Sequence, residues 1–572
     1  MKPFWITFYS YKGGVGRSLA LANTAALLVK RGRRVVLVDF DLEAPGLDSF
    51  EEFKSAAGKP GVVEYATEFE NTKRAPDISQ FVHACDLESK PRGKLWIMPA
   101  GKKDTAYNSC RAKLDWVRLY DSGLGAPFVE NWKAAIARHC QPDYVFVDSR
   151  TGLTDVGGIC TLHLPDLVVM VFGLNEQNVH GVAAVAKTIR ESELSHLPQI
   201  HYVASPVPNL PRDKKGPLVQ RLTAATERLG AKVESAIRYA HIAALTERLF
   251  VLDPDFESSP LVSDYERLLD RLIDYNRSGL DFLWNQAQGA ISKVDTTLME
   301  RLLVVFEEEF SDRPEGLMAR AHLSRALGQL DNTTKLAIAA LDVDPTYDVA
   351  FEWLLTHYRR KNDFRAALSV CNSVLQHADR LPLDRRYDLD LKRGQIAMAA
   401  GEHTAAQESY RKTTAYLMTR KKTGDPDPET ILINMFNQAE AARRSTGRVP
   451  AKLWGDLIGL FKMTGAASAA PLVVQANRWQ AVHIAFAMTG DIARACEALG
   501  KARQAAERLG PAEDAFSVKT YTDVPIKEFL QVNDAMLAAL DLGQLWDGMP
   551  LPFAKPAEET ASAAVHQPAD NP

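Results

Sequence analysis

Seven consecutive residues, Lys12-Gly13-Gly14-Val15-Gly16-Arg17-Ser18, combine three glycines with two cations and a hydroxyl. Glycine reaches backbone angles closed to other residues, so Gly13, Gly14 and Gly16 leave room for an anion and let successive N–H groups point at it. The loop follows an apolar run, Phe4 to Phe8, and precedes a helical pattern that begins near Ser18. A helix N-terminus there adds a dipole favourable to phosphate, and the Ser18 hydroxyl is placed to ligate a Mg²⁺ that bridges two phosphates. Carboxylates follow other apolar runs: Asp39 and Asp41 after Val35 to Val38, and Asp148 after Tyr144 to Val147. Positions two apart past a strand end can both face the phosphate side, because the chain is leaving the pleat.

The loop resembles the K-G-G-x-G-K-[ST] sequence of the MinD/ParA branch of P-loop ATPases, a deviant Walker A motif, in the variant where Arg stands for the second lysine. That resemblance implies ATP and Mg²⁺ as cofactors, held by Lys12, Gly13, Gly14, Val15, Gly16, Arg17 and Ser18. It implies that Lys12 reaches across a nucleotide-dependent homodimer to the other subunit's nucleotide and acts in catalysis. The run Asp39-Phe40-Asp41-Leu42-Glu43 resembles the family's D-x-D switch I segment: Asp39 would organise the Mg²⁺ shell through water and Asp41 would orient the attacking water. Asp148 would be the Walker B carboxylate, making Ser18, Asp39 and Asp148 the metal set, and Gly152 would let switch II bend. Two departures stand out. Arg17 is planar and larger than the lysine it replaces, which leaves slow or absent hydrolysis open, and Arg150 stands where the family has proline.

These residues need a sheet to carry them. Apolar runs at Phe4–Phe8, Val35–Val38, Leu95–Met98, Tyr144–Val147, Leu167–Phe172 and Ile200–Val203 lack polar alternation, as strands covered on both faces do. Helical stretches at 18–30 and 179–193 alternate with them. The expectation is an α/β P-loop domain with a mostly parallel doubly wound sheet over residues 1–285, followed by a linker at 286–297. The strand-exit segments Leu174 to Asn178 and Ala204 to Pro208 lie where the family holds the base and read as ordinary loops. From 298 to 545 strand signals stop and Ala/Leu-rich helical periodicity takes over. A 34-residue helix-turn-helix template places Gly328, Ala340 and Pro345 in one unit, Tyr358 and Ala367 in the next, Gly394, Gly401, Ala406 and Tyr410 in a third, and Gly490, Ala495 and Ala502 in a later one. This resembles tetratricopeptide repeats, with a loop at Thr423 to Pro428. Residues 546–572, rich in Ala, Glu and Pro toward the end, read as a disordered tail.

Other chemistries find no support. No H-E-x-x-H, G-x-S-x-G or C-x-x-C occurs, and the six cysteines lie far apart, as suits a reducing cytoplasm. The chain enters a strand at once rather than a signal peptide and has no long apolar run, so no membrane is expected. The net charge of −4 advertises no nucleic-acid face, and the basic cluster Lys30 to Arg34 reads as a solvated helix end. The leading expectation is an Mg²⁺–ATP-dependent dimeric switch whose repeats bind a protein partner, in a bacterial multi-component regulatory or defence system. A nucleotide-binding scaffold with little hydrolysis and a ParA-like DNA-partitioning ATPase are the alternatives.

Overall fold

The computed structural model describes residues 2–552, apart from 88–90, 106, 153–157, 195, 210–215, 421–427, 448, 450, 464–470, 511 and 512. Strands β1 (Phe4–Tyr9), β2 (Arg34–Phe40), β3 (His83–Cys85), β4 (Lys94–Met98), β5 (Tyr144–Ser149), β6 (Leu167–Phe172), β7 (Gln199–Val207) and β8 (Ser235–Arg238) form one eight-stranded sheet. Its order is β3-β4-β2-β5-β1-β6-β7-β8, and each pairing is parallel except β3 with β4. All six expected strands are present. The edge strands β3 and β8, three and four residues long, carry no apolar run that sequence reading could detect.

Around the sheet lie α1 (Arg17–Lys30), α2 (Val62–Thr72), α3 (Tyr107–Lys113), α4 (Trp116–Asp121), α5 (Gly125–Cys140), α6 (Glu176–Arg190), α7 (Pro217–Leu229) and α8 (Pro260–Ile273). Alternate strand residues feed opposite cores. Ile6, Leu37, Phe146 and Val169 pack with Leu21 and Leu28 of α1 and Leu268 of α8, whereas Trp5, Val36 and Val145 pack with Tyr65 of α2 and Trp132 of α5. A third cluster joins Val168, Met170 and Phe172 of β6 to Val182 of α6 and Leu229 of α7. Both faces are therefore apolar, which is why the strands read as unbroken runs.

Four more helices, α9 (Leu280–Lys293), α10 (Thr296–Phe310), α11 (Pro314–Ala326) and α12 (Leu330–Val343), belong to the same compact unit, which ends at Tyr347. Residues 286–293, expected as linker, continue α9. Ion pairs hold these helices to the α/β layer. Buried Arg33 donates to both carboxylate oxygens of Asp281 at 2.8 and 2.9 Å and pairs with Glu315 at 3.3 Å, Arg92 pairs with Glu315 at 2.6 Å, and Arg313 grips Asp143 at 2.5 and 3.1 Å. The Lys30–Arg34 cluster is thus only partly the solvated helix end expected, because Arg33 is buried against acids remote in sequence.

The second unit begins at Asp348. It comprises α13 (Asp348–Arg360), α14 (Phe364–Leu375), α15 (Leu383–Ala399), α16 (His403–Arg420), α17 (Pro428–Thr446), α18 (Ala451–Met463), α19 (Leu472–Met488), α20 (Ile492–Ala506) and α21 (Ile526–Asp541). Short turns join several pairs, with a left-handed residue at Asn362, Gly401 and Gly490, as at Gly328 in the first unit. Gly394 lies so close to Tyr410 that an added Cβ would meet the ring at 2.9 Å. The second unit departs from the sequence expectation in two places. An antiparallel hairpin, β9 (Asp514–Ser517) with β10 (Thr522–Pro525), interrupts the expected all-helical region, its four-residue strands being too short to show a period. Residues 546–552, expected in the tail, pack on the core through Leu551, which is buried, and through Trp546, which lies beneath Arg443. The expected loop at Thr423 to Pro428 falls at 421–427, outside the described residues, and Pro428 opens α17. The remainder of the expected tail, 553–572, also lies outside them.

Candidate functional site

The glycine loop leaves β1 and turns into α1 through two left-handed residues, Gly14 at φ 75° and Gly16 at φ 77°. Gly16 is the N-terminal flanking residue of α1, and no side chain among the described residues caps the helix. Its first N–H groups are therefore left facing the loop, the condition for anion binding. A Cβ on Gly13 or Gly14 would meet nothing within 4 Å. The loop floors a cleft of about 530 Å³ that Gly13 to Ser18 share with Asp41, Ala44, Gly46, Thr151, Ser205, Pro206, Arg238 and Tyr239.

Sheet register sets the carboxylates. Asp39 of β2 pairs directly with Asp148 of β5, both at the C-terminal strand ends, and each is 1% exposed. The Ser18 hydroxyl donates to Asp148 Oδ2 at 2.5 Å. Asp39 accepts from the N–H groups of Leu47 at 3.1 Å and Asp41 at 3.3 Å. Arg17 spans the other two acids, with Nη2 2.9 Å from Asp41 and Nε 2.5 Å from Asp148. Burial, and then the facing Asp148, push the Asp39 carboxyl up to about 8. Burial raises Asp148 as well, against the opposing pull of Arg17 and Ser18. Three clustered acids against one guanidinium leave the site short of positive charge, which a cation would supply. Among the described residues no group of three His, Cys, Asp or Glu could hold a metal by itself. A divalent ion here would draw on Ser18 and phosphate oxygens as well, and the donor set fits Mg²⁺, a hard ion that keeps waters and uses one or two carboxylates.

The structure thus gathers Gly13, Gly14, Val15, Gly16, Arg17, Ser18, Asp39, Asp41 and Asp148 in one place. Lys12 is exposed, outside the cleft's lining, with its ammonium 5.8 Å from the Tyr11 ring centre. Sequence reading missed what holds the segment after Asp41. Glu43 pairs with Arg150 at 2.5 Å and Arg111 at 3.1 Å, Tyr107 donates to the Leu42 carbonyl at 2.8 Å, and Lys103 reaches Asp48 at 2.5 Å. The signal available was that Glu43 extends the Asp39/Asp41 run and Arg150 breaks the family pattern. Of the two exit loops, Leu174 to Asn178 serves as a helix cap, Asn175 accepting from the Asn178 N–H at 3.0 Å. The other is more than a connection, since Ser205 and Pro206 line the cleft.

Fold and site define a doubly wound α/β domain with a glycine-rich loop at the strand ends, facing carboxylates. Residues 6–283 match the CobQ/CobB/MinD/ParA nucleotide binding domain. Similar solved structures include apo McdA of Cyanothece (13% identity, covering 47% of this chain and 99% of that one, TM-score 0.38). Others are MinD with Mg-ADP from Pyrococcus horikoshii (14%, 47% and 96%, 0.35) and a putative plasmid partition protein of Borrelia burgdorferi bound to AMPPNP (18%, 48% and 99%, 0.35). No curated protein matches the chain. Among the described residues no helix is long and apolar enough to cross a membrane.

Proposed function

We propose that the first domain binds ATP with Mg²⁺ through a deviant Walker A loop and works as a dimeric molecular switch that hydrolyses ATP. The observation that carries this reading is the meeting of an uncapped α1 N-terminus with Ser18, Asp39 and Asp148 at adjacent strand ends. The amides of Gly13 to Ser18 would hold the phosphates, with Arg17 beside them. Ser18, Asp39 and Asp148 would hold Mg²⁺, which supplies charge neutralisation at the phosphate oxygens. Asp41 would orient water, and Lys12, free of its own cleft, suits a reach into a second subunit. The helical region reads as tetratricopeptide-like repeats that bind a protein partner, supported by the left-handed turn residues and by the close Gly394–Tyr410 approach. A cytoplasmic regulatory or defence system of several components is the setting this reading fits.

Phosphate release tests the enzyme: wild type should turn over slowly with Mg²⁺, and Asp41→Ala should lower the rate by about 10²-fold, within the usual range for general acid–base groups. Equal rates for the two would refute a hydrolytic role for Asp41. One observation favours a second reading, a nucleotide-binding scaffold with negligible hydrolysis: Asp41 is already engaged by Arg17 at 2.9 Å. That reading requires a negligible rate in both proteins alongside measurable nucleotide binding.

A further inference from the structure

Arg17 is more than nine-tenths buried; Nη2 donates to Asp41, and Nε stands in an ion pair 2.5 Å from Asp148 without hydrogen-bond geometry. Nε and Nη1 are both buried with no hydrogen-bond partner among the described residues, so Asp41 holds the one hydrogen-bonded nitrogen of the fork. A planar fork can grip two carboxylates at once, and such charge-assisted contacts are strong. The segment that starts at Asp41 has further tethers that do not involve the phosphate loop: Leu42 to Tyr107, Glu43 to Arg111 and Arg150, and Asp48 to Lys103. Arg17 is the tether an incoming phosphate would compete for.

We propose that Arg17 is an internal competitor of nucleotide: its guanidinium exchanges Asp41 for phosphate, so that nucleotide entry frees Asp41 while Arg111, Arg150, Tyr107 and Lys103 keep the rest of the segment in place. The inference rests on the nucleotide-binding reading and adds that binding is weakened by the Arg17–Asp41 contact it must break. A lysine at 17 is a point charge that cannot span both acids in this way, so the departure from the family's lysine is what sets the affinity.

The test is a double-mutant cycle on the full chain, reading the equilibrium affinity for a fluorescent non-hydrolysable ATP analogue in excess Mg²⁺. Asp41→Asn should tighten binding about tenfold in the wild-type background, the loss of one charged contact from the competing state. Arg17→Lys alone should also tighten it, and adding Asp41→Asn to Arg17→Lys should change it by about twofold or less. The same Asp41→Asn factor in both backgrounds would assign the effect to simple charge repulsion and overturn the proposal while leaving nucleotide binding intact. Weaker binding by Arg17→Lys would overturn it as well. Absence of saturable binding to the wild type would instead remove the nucleotide-binding reading itself. Thermal unfolding of each variant checks that its fold is kept.

Discussion

Charge at the glycine loop is arranged as three acids around one arginine, and the consequences are local. Gly16 sits at φ 77°, where an alanine costs roughly 1–2 kcal/mol. Its Cβ would stand 3.5 Å from the Ser205 hydroxyl, an ordinary contact, so strain rather than collision should dominate. Gly16→Ala should therefore lower stability by roughly that amount in thermal or urea unfolding, and weaken nucleotide binding by redirecting the loop amides. The types and order of these residues were legible in the sequence because glycine, hydroxyl and carboxylate each do one kind of work there. Their pairings were not. Arg17 with Asp41, and Arg150 with Glu43, join positions brought together only by the sheet, and nothing local in sequence records such a contact.

At the scale of elements, continuous apolar runs announced the six covered strands. They could not announce β8, a four-residue strand in which Ile237 alone is buried, yet which carries Ile237 and Arg238 into the cleft wall. Next to β8 on β7, His201 is buried between the Ser235 hydroxyl at 2.8 Å and the Tyr275 hydroxyl at 3.2 Å. Burial lowers its imidazole from 6.5 to about 4, so in that interval the unfolded chain binds a proton that the fold does not. The sign follows: stability is lost as pH falls from about 6.5 toward about 4, by roughly 1–3 kcal/mol. Replacing His201 with Gln should flatten that part of a stability-against-pH curve measured by urea unfolding. In the helical region, Gly394→Ala would drive a Cβ to 2.9 Å from Tyr410, and the expected loss is roughly 1–3 kcal/mol of overpacking. Gly401→Ala, with nothing within 4 Å but a φ of 79°, should cost about 1–2 kcal/mol through strain alone. Separate unfolding curves for the two variants distinguish the mechanisms, because in a Tyr410→Ala background, itself destabilised by the cavity, the further cost of Gly394→Ala should shrink while that of Gly401→Ala should not.

For the whole molecule, an α/β region followed by a helical one was legible, but the change was expected near residue 298, whereas the last sheet strand ends at Arg238 and the compact first unit runs on to Tyr347. The reason is electrostatic and long-range. Asp143 at the start of β5 accepts from the Arg34 N–H and is gripped by Arg313, and Glu315 joins Arg33 to Arg92. A fragment ending at residue 295 would lose Arg313 and Glu315, leaving Asp143 with the Arg34 N–H and Arg33 with Asp281, and stripping one side of a buried pair costs roughly 3–5 kcal/mol. It should melt well below a fragment ending at residue 347, and equal melting temperatures would show the ion pairs to be dispensable. Whether the loop from Gly13 to Ser18 holds nucleotide phosphate is tested most directly by calorimetric titration of ATP with Mg²⁺ into wild type and Gly13→Asp. Gly13 lies outside the left-handed region and has open space around it, so an aspartate there should spare the fold while placing a carboxylate against the phosphate. One saturable site in the wild type that is lost in Gly13→Asp is the predicted result, whereas no binding by the wild type, or undiminished binding by the variant, would contradict it.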